Sequence, residues 1–451
     1  YGMLSILGYY LYYSMGDGGL GLPKATATGI VGAYGGLVYL STVLGGWMAD
    51  RVLGMERTVF YGGVVVMCGH ISLAILPGLT GVAVGLVLIA LGAGALKANA
   101  SWLLGPLYGP GGARRDGGFT LFCLGINLGA FAGPLITGLL QTSLGFHYGF
   151  GAAAVGMALG LTQYVVFRRN LGEHGRTVPH PLSGNALWRS AAVAAAVVAV
   201  VVVGFVTVLV TLANLSQVTT LIIVLASVGY FAVMLTSPRV EKGERTRVRA
   251  FIPLFIANAV FWSLFQQIFT VLAVYSDERI NWTVFGWTAP SSWIGSMEPV
   301  WIILLSPVFA VLWTKLGRRA PTTPRKFAYG VIGMGLAFLL FLPLAGGEGR
   351  TVPVLAVAAI LAAFAVSELL LSPIGLSVTT QLAPNAFRAQ MMALYFFSVG
   401  LGTALSGVLS RYYSAEHEVA YFGIIGAVAV AVGVVVWLIA PRVSALMDGV
   451  H

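Results

Sequence analysis

The sequence predicts an all-α protein embedded in a membrane and built from about fourteen transmembrane helices. Composition is the first reason: 58% of the 451 residues are hydrophobic and 9% charged, with a mean hydropathy of +0.89, whereas soluble chains carry about 25% charged residues. Apolar runs of helix-spanning length, about 20 residues for a bilayer core, recur from end to end between clusters of charge, Gly and Pro. Basic residues, finally, fall in alternate loops. A soluble enzyme, a disordered chain and a nucleic-acid binder are excluded at this point. The net charge of +10 reflects loops that set membrane topology rather than a nucleic-acid partner.

The runs can be taken in order. The first, 1–15, is short and carries Tyr9, Tyr10, Tyr12 and Tyr13. It is already apolar at Tyr1 and Gly2, so the start of that helix is expected to precede residue 1. Runs at 29–49 and 58–78 flank a short basic turn, and 81–104 holds Lys97. The run 117–141 sets Gly125, Gly129 and Gly133 four residues apart, a small-residue face for close helix packing, with Asn127 and Pro134 alongside. A sixth run, 148–168, completes the first group. The Ala/Val-rich pair 189–211 and 217–237, with Thr207, Thr211, Asn214 and Gln217 among its few polar groups, reads as a peripheral hairpin. Six more runs follow at 250–275, 293–314, 326–345, 352–381, 389–413 and 420–440. Cys68 and Cys123 lie within apolar runs and are expected as small core residues, without a disulfide or metal site.

Loops after the even-numbered runs, with the C-terminal segment, hold twenty of the 25 Lys and Arg, among them Arg51, Arg57, Arg168, Arg245 and Arg319. They are expected to face the cytoplasm, and the C-terminus with them. Lys24, Arg279, Arg350 and Arg411 lie on the other side. The turn Asp50–Arg57 has a weak echo in Thr314–Arg319, the mark of an internal repeat with a substrate site where the halves meet. The expected division is an N-terminal six-helix bundle, 1–170, an inserted hairpin with its linkers, 171–249, and a C-terminal six-helix bundle, 250–451.

Charges inside the runs are few: Lys97, Glu298 near the outer end of its run, and Glu368. Such groups are costly in hydrocarbon and so are site candidates. They either face a polar cavity or pair with one another as a structural strut, and Glu298 is as readily placed at the interface. Asn127 serves as interhelical glue or as a ligand contact. The tyrosines are belt or core residues, or they line a pocket for an amphipathic solute. His174 and His180 sit in a Gly/Pro/Arg loop and read as solvated. The sequence has no metalloprotease helix, phosphate-binding loop or nucleophile elbow.

Gly45-Gly46-Trp47-Met48-Ala49-Asp50-Arg51-Val52-Leu53-Gly54, with Arg57, resembles the loop 2–3 motif of the major facilitator superfamily. Gly92 to Ser101, Phe122 to Gly129, Phe261-Trp262 with Gln267, and Ser367-Glu368 through Ser377 resemble successive signatures of the proton-coupled oligopeptide transporter family. Tyr1-Gly2 is similar to the tail of its helix 1 motif, E-x-x-E-R-F-x-Y-Y-G. The resemblance implies the major facilitator fold, two six-helix bundles plus an inserted pair, in a bacterial inner membrane. It also implies alternating-access import of di- and tripeptides by a monomer, with protons as the coupling ion and no other cofactor. By the same resemblance Lys97, Asn127, Tyr12 and Tyr39 line one half of the cavity and Lys97 attracts the peptide carboxylate. Glu368 meets the ammonium, and Trp262 and Tyr395 line side-chain pockets. Lys97 and Glu368 would gate the inner side, and Asp50, Arg51 and Arg57 would steady one conformation.

Four departures qualify this picture. Leu4 stands where many members have arginine, and Gln266 where many have glutamate. Those positions pair in the family, so losing both charges leaves neither unpaired. Glu298 occupies a place where asparagine is common, and Tyr395 one where tryptophan is usual. Glu298 is therefore expected to replace the missing acid, sharing proton coupling with Lys97 and Glu368. The other cargo to weigh is a drug-like, amino-acid or anionic solute carried on the same fold.

Overall fold

The computed structural model describes residues 1–104, 113–171 and 175–447. Fourteen helices run in the expected order: α1 (Gly2–Tyr12), α2 (Lys24–Met48), α3 (Met55–Ile75), α4 (Gly78–Leu104), α5 (Ala113–Leu144), α6 (Phe146–Phe167), α7 (Gly184–Val206), α8 (Leu215–Thr236), α9 (Lys242–Phe265), α10 (Ile294–Leu316), α11 (Thr323–Leu339), α12 (Val354–Leu382), α13 (Arg388–Leu409) and α14 (Glu418–Leu446). Among the described residues twelve segments are long and apolar enough to cross a membrane. The α9 span is broken: a 3-10 turn at Gln266–Phe269 precedes the short helix Val271–Glu278. Strand structure is limited to two-residue pairs in the loops, Ile280–Asn281 parallel to Val352–Pro353 and Thr283–Val284 antiparallel to Trp287–Thr288.

Helix α9 begins eight residues before the apolar run does. A capping box of Glu241 and Glu244 satisfies its first N–H groups, so a charged turn extends the helix beyond the hydrocarbon stretch. Glu244 also accepts from the Asn385 N–H at 2.9 Å, tying the start of α9 to the turn before α13.

Helices α1–α6 pack together through α3 on α4, α2 on α4 and α3 on α6; α9–α14 do so through α11 on α14, α9 on α13 and α11 on α12. The C-terminal group is centred on stacked and edge-on rings, with Phe341 and Phe422 4.8 Å apart and Tyr275 and Phe338 against them. The two groups meet along α2 and α13, where Gly32 faces Gly407 so closely that a Cβ on Gly32 would lie 2.5 Å from the Gly407 Cα. Helix α8 lies along this same seam: Ser216 and Thr219 approach Gly29 and Gly36 of α2, while Ile223 approaches Gly400 of α13.

Cys68 and Cys123 are both exposed, contrary to the core placement expected from their apolar neighbours. A transmembrane helix is apolar around its whole girth because lipid takes the place of core, so an apolar neighbourhood does not say which way a thiol points.

Candidate functional site

Lys97 lies on α4, where the small residues from Gly92 to Ala95 let α3 approach: a Cβ on Gly92 would meet the Gly62 carbonyl at 2.5 Å. Its side chain is exposed and donates to the Tyr39 hydroxyl of α2 at 3.2 Å, with Nζ 4.3 Å from the centre of that ring. The ammonium thus has a neutral hydrogen-bond partner and a π face, without an acid among the described residues. Tyr39 in turn stacks on Phe396 of α13 at 6.5 Å. Asn127 on α5 turns its amide onto the Cys123 carbonyl of its own helix at 3.0 Å.

On the opposite bundle, α10 and α12 each bring one acid. Glu298 is 6% exposed in the second turn of α10, so it is buried rather than interfacial. Its Oε1 meets no donor among the described residues, and α10 packs on α12, which carries Glu368. Tyr395 of α13 is buried beside Phe396, whose ring meets that of Tyr39, and Gly375 leaves it room, since a Cβ there would lie 2.8 Å from the Tyr395 ring. Trp262 is buried edge-on against Phe265 at 5.0 Å with no acceptor for its indole N–H. Gln266 opens the 3-10 turn that breaks the α9 span.

Tyr39 thus sets the Lys97 ammonium beside α13, next to Phe396 and Tyr395, while Glu298 and Glu368 lie on α10 and α12 of the same bundle as α13. Tyr12 is elsewhere. Its hydroxyl donates to Asp277 at 3.0 Å beside that of Tyr13 at 2.9 Å. Asp277 also receives Ser291 and the Arg350 guanidinium, while Lys24 pairs with the adjacent Glu278. Further bonds join the bundles at this end: Tyr9 to the Ala273 carbonyl, Trp293 to Leu135, Ser296 to Phe131 and Ser410 to Thr28. Among the described residues the polar contacts between bundles cluster here, at the end away from the basic loops. Asp277 was not singled out in the sequence, because a charge at a helix end is ordinary; the run Asp277-Glu278-Arg279 was the available signal. Arg279 is buried against Glu418 at 3.1 Å, fixing the loops of its own bundle.

Asp50 and Arg51 lie in a π-helical turn, Ala49–Leu53. Their carbonyls accept from the backbone N–H groups of His180 and Leu182, which docks the linker here, while the His180 side chain, 3.9 Å from the Asp50 carboxylate, stays exposed as expected. Arg57 lines a basic cavity of about 390 Å³ with Arg168, Arg169 and Arg176. Arg168 is 3.1 Å from Glu56, which is fully buried. His174, Arg318's side chain and the residues 105–112 between α4 and α5 lie outside what the structure describes.

A model of the POT family matches residues 56–428. The chain belongs to that family. It is 40% identical over 466 residues to the di-/tripeptide transporter of Lactococcus lactis subsp. cremoris, covering 100% of this chain and 94% of the relative. Among solved structures it is similar to a mutant of the peptide transporter POT in complex with alafosfalin, with 46% identity, a TM-score of 0.93 and coverage of 99% and 92% of the two chains. A POT family transporter in complex with 5-aminolevulinic acid is 34% identical with a TM-score of 0.92, over 98% and 93% of the chains. The POT family chain described here has the major facilitator fold, spans a membrane many times and is a transporter rather than an enzyme.

Proposed function

We propose that this POT family chain is a proton-coupled symporter that imports di- and tripeptides by alternating access, the substrate lying in a central cavity between residues 1–170 and 250–451. One observation carries the reading: a cation on one bundle, Lys97, is held by Tyr39 against Phe396 of the other, and that second bundle carries two acids within its spans, Glu298 and Glu368, the first of them buried. A zwitterionic backbone fits that arrangement whatever its side chains, its carboxylate toward Lys97 and its ammonium toward Glu368. Asn127 and Tyr39 complete the carboxylate end, while Trp262, Gln266 and Tyr395 line room for side chains. Reading termini and leaving side chains to roomy apolar walls makes such a site promiscuous.

The end joined by Asp277, Tyr12 and Tyr13 is then the outer gate, closed in this state, and Asp50, Arg51 and Arg57 belong to the inner face. The basic loops place that face and the C-terminus in the cytoplasm of a bacterial inner membrane. A monomer holds the whole site, and protons are the coupling species. The amine and carboxylate of 5-aminolevulinic acid, bound by one relative, favour a second reading: any small zwitterion of similar reach is cargo.

The test is uptake of labelled dialanine by the full-length protein in proteoliposomes, with pH gradient and membrane potential imposed separately. Concentrative uptake that requires the proton gradient and is lost in Lys97→Ala is expected. Folded protein that accumulates 5-aminolevulinic acid but not dialanine would move the assignment to the second reading.

A further inference from the structure

Topology accounts for basic residues scattered through loops, but not for four arginines that converge on one cavity. Arg57 comes from the first turn of α3, Arg168 and Arg169 from the 3-10 turn Arg168–Leu171 that follows α6, and Arg176 from the linker beyond it. The space they line is about 390 Å³, within the range of about 300–1,000 Å³ usual for small-ligand sites. Backbone contacts fix the linker in place. The Glu56 N–H donates to the Gly175 carbonyl at 3.0 Å, and Gly54, at φ 78°, lies so close that a Cβ there would come within 2.8 Å of the Arg176 carbonyl oxygen.

Charge in this cavity is unbalanced. Buried Glu56 lies 3.1 Å from Arg168, whose guanidinium also sits 5.6 Å from the centre of the Phe60 ring. Arg57, Arg169 and Arg176 pair with no acid among the described residues, and Arg176 Nε is buried without an acceptor there. Arg57 moreover stands at the positive end of its helix, which disfavours a cation unless an anion lies beside it. The remaining wall is Val165, exposed like its neighbours Val166 and Phe167. Hydrocarbon therefore reaches the lip of the cavity along α6, while guanidiniums line its floor.

We infer that this cavity binds the phosphodiester headgroup of an anionic membrane phospholipid, its phosphate toward Arg57, Arg169 and Arg176 and its acyl chains along α6 past Val165. The planar fork of arginine meets phosphate oxygens two at a time, and basic pockets at the cytoplasmic ends of helices suit headgroups of this kind. Inorganic phosphate offers the same oxygens, but it makes no use of the apolar wall. A headgroup seated here bridges α3, α6 and the linker, and so pins the linker onto the turn 50–57. The site is separate from the peptide cavity and does not depend on the cargo.

Native mass spectrometry of the full-length protein, supplied with equal amounts of phosphatidylglycerol and phosphatidylcholine, tests the site. Phosphatidylglycerol should be retained about fivefold or more over phosphatidylcholine, and the double variant Arg169→Gln/Arg176→Gln should lose about fivefold in affinity for each arginine removed. Lys315→Gln/Arg319→Gln removes the same charge from another basic loop and should retain the lipid as the parent does. Equal loss in both variants, or no preference between the two lipids, overturns the inference. Thermal unfolding gives a second readout, because a ligand bound to the folded state raises its melting temperature. Phosphatidylglycerol should raise that of the parent and leave that of the arginine variant unchanged. Arg169→Gln alone, at an exposed side chain, provides the comparison if the double variant does not fold. Inorganic phosphate in lipid-free detergent that stabilises the parent as far as phosphatidylglycerol does would assign the cavity to a soluble anion and overturn the lipid.

Discussion

The Lys97 ammonium rests on Tyr39 through both a hydroxyl and a ring face. Removing only the hydroxyl separates the two contributions, because phenylalanine keeps the π surface. Tyr39→Phe is expected to raise the KM for peptide uptake about fivefold, the worth of one hydrogen bond, with the maximal rate nearly unchanged; a loss as complete as in Lys97→Ala would mean that the hydroxyl itself moves with the proton. Lys97, Glu298 and Glu368 were legible in the sequence because a charge within an apolar run has so few places to go. Tyr12 was not, since a tyrosine in a run of tyrosines carries no sign of which acid its hydroxyl will find, and that acid, Asp277, lies 265 residues away in the chain. The burial of Glu298 was hidden for a related reason: it depends on how α10 sits against its neighbours, which periodicity does not report.

At the level of helices, length and spacing were set by the bilayer, and so all fourteen runs found a helix close to the expected bounds. The differences lie at the ends and at the break in the α9 span, where the turn Gln266–Phe269 interrupts the run 250–275. Capping by Glu241 and Glu244 lengthens α9 beyond its apolar stretch, and α14 continues through Pro441 and Arg442 to Leu446 because nothing there demands a turn. Glycine marked close packing in the sequence without naming the partner helix. The structure names it at Gly32, whose missing Cβ admits the backbone of α13. Gly32→Ala forces that seam apart; overpacking of this kind costs about 1–3 kcal/mol. The variant is expected to melt at a lower temperature and transport more slowly, with peptide affinity retained, as thermal unfolding and uptake kinetics would show. Loss of affinity with unchanged melting would contradict this account.

Across the whole molecule, the polar links between bundles are gathered at one end, around Asp277 and Glu278. Two phenol hydroxyls, one serine and one arginine share the Asp277 carboxylate, and hydrogen bonds to a charged group are worth about 1.5–3 kcal/mol each net of solvent. Asp277→Ala is therefore expected to shift the population toward an open outer gate by about tenfold or more. Spin-label distances between the 13–23 loop and the 281–288 loop would show it, measured with Cys68 and Cys123 replaced, since both thiols are exposed. Distances that stay as in the parent protein would remove Asp277 from the gate.

Helix α8, an insertion that the sequence offered only as a peripheral hairpin, touches both bundles along their seam through Ser216, Thr219 and Ile223. A rod laid along the line where two bodies meet acts as a fulcrum: points near it travel least when they rock, and the far ends of α4 and α10 sweep the widest arc. Its other side is turned outward, with Leu221, Leu225 and Val228 exposed, so the pivot is bedded in the solvent of the membrane itself. Lipid packed against that outward face therefore bears directly on the seam along which α2 and α13 meet.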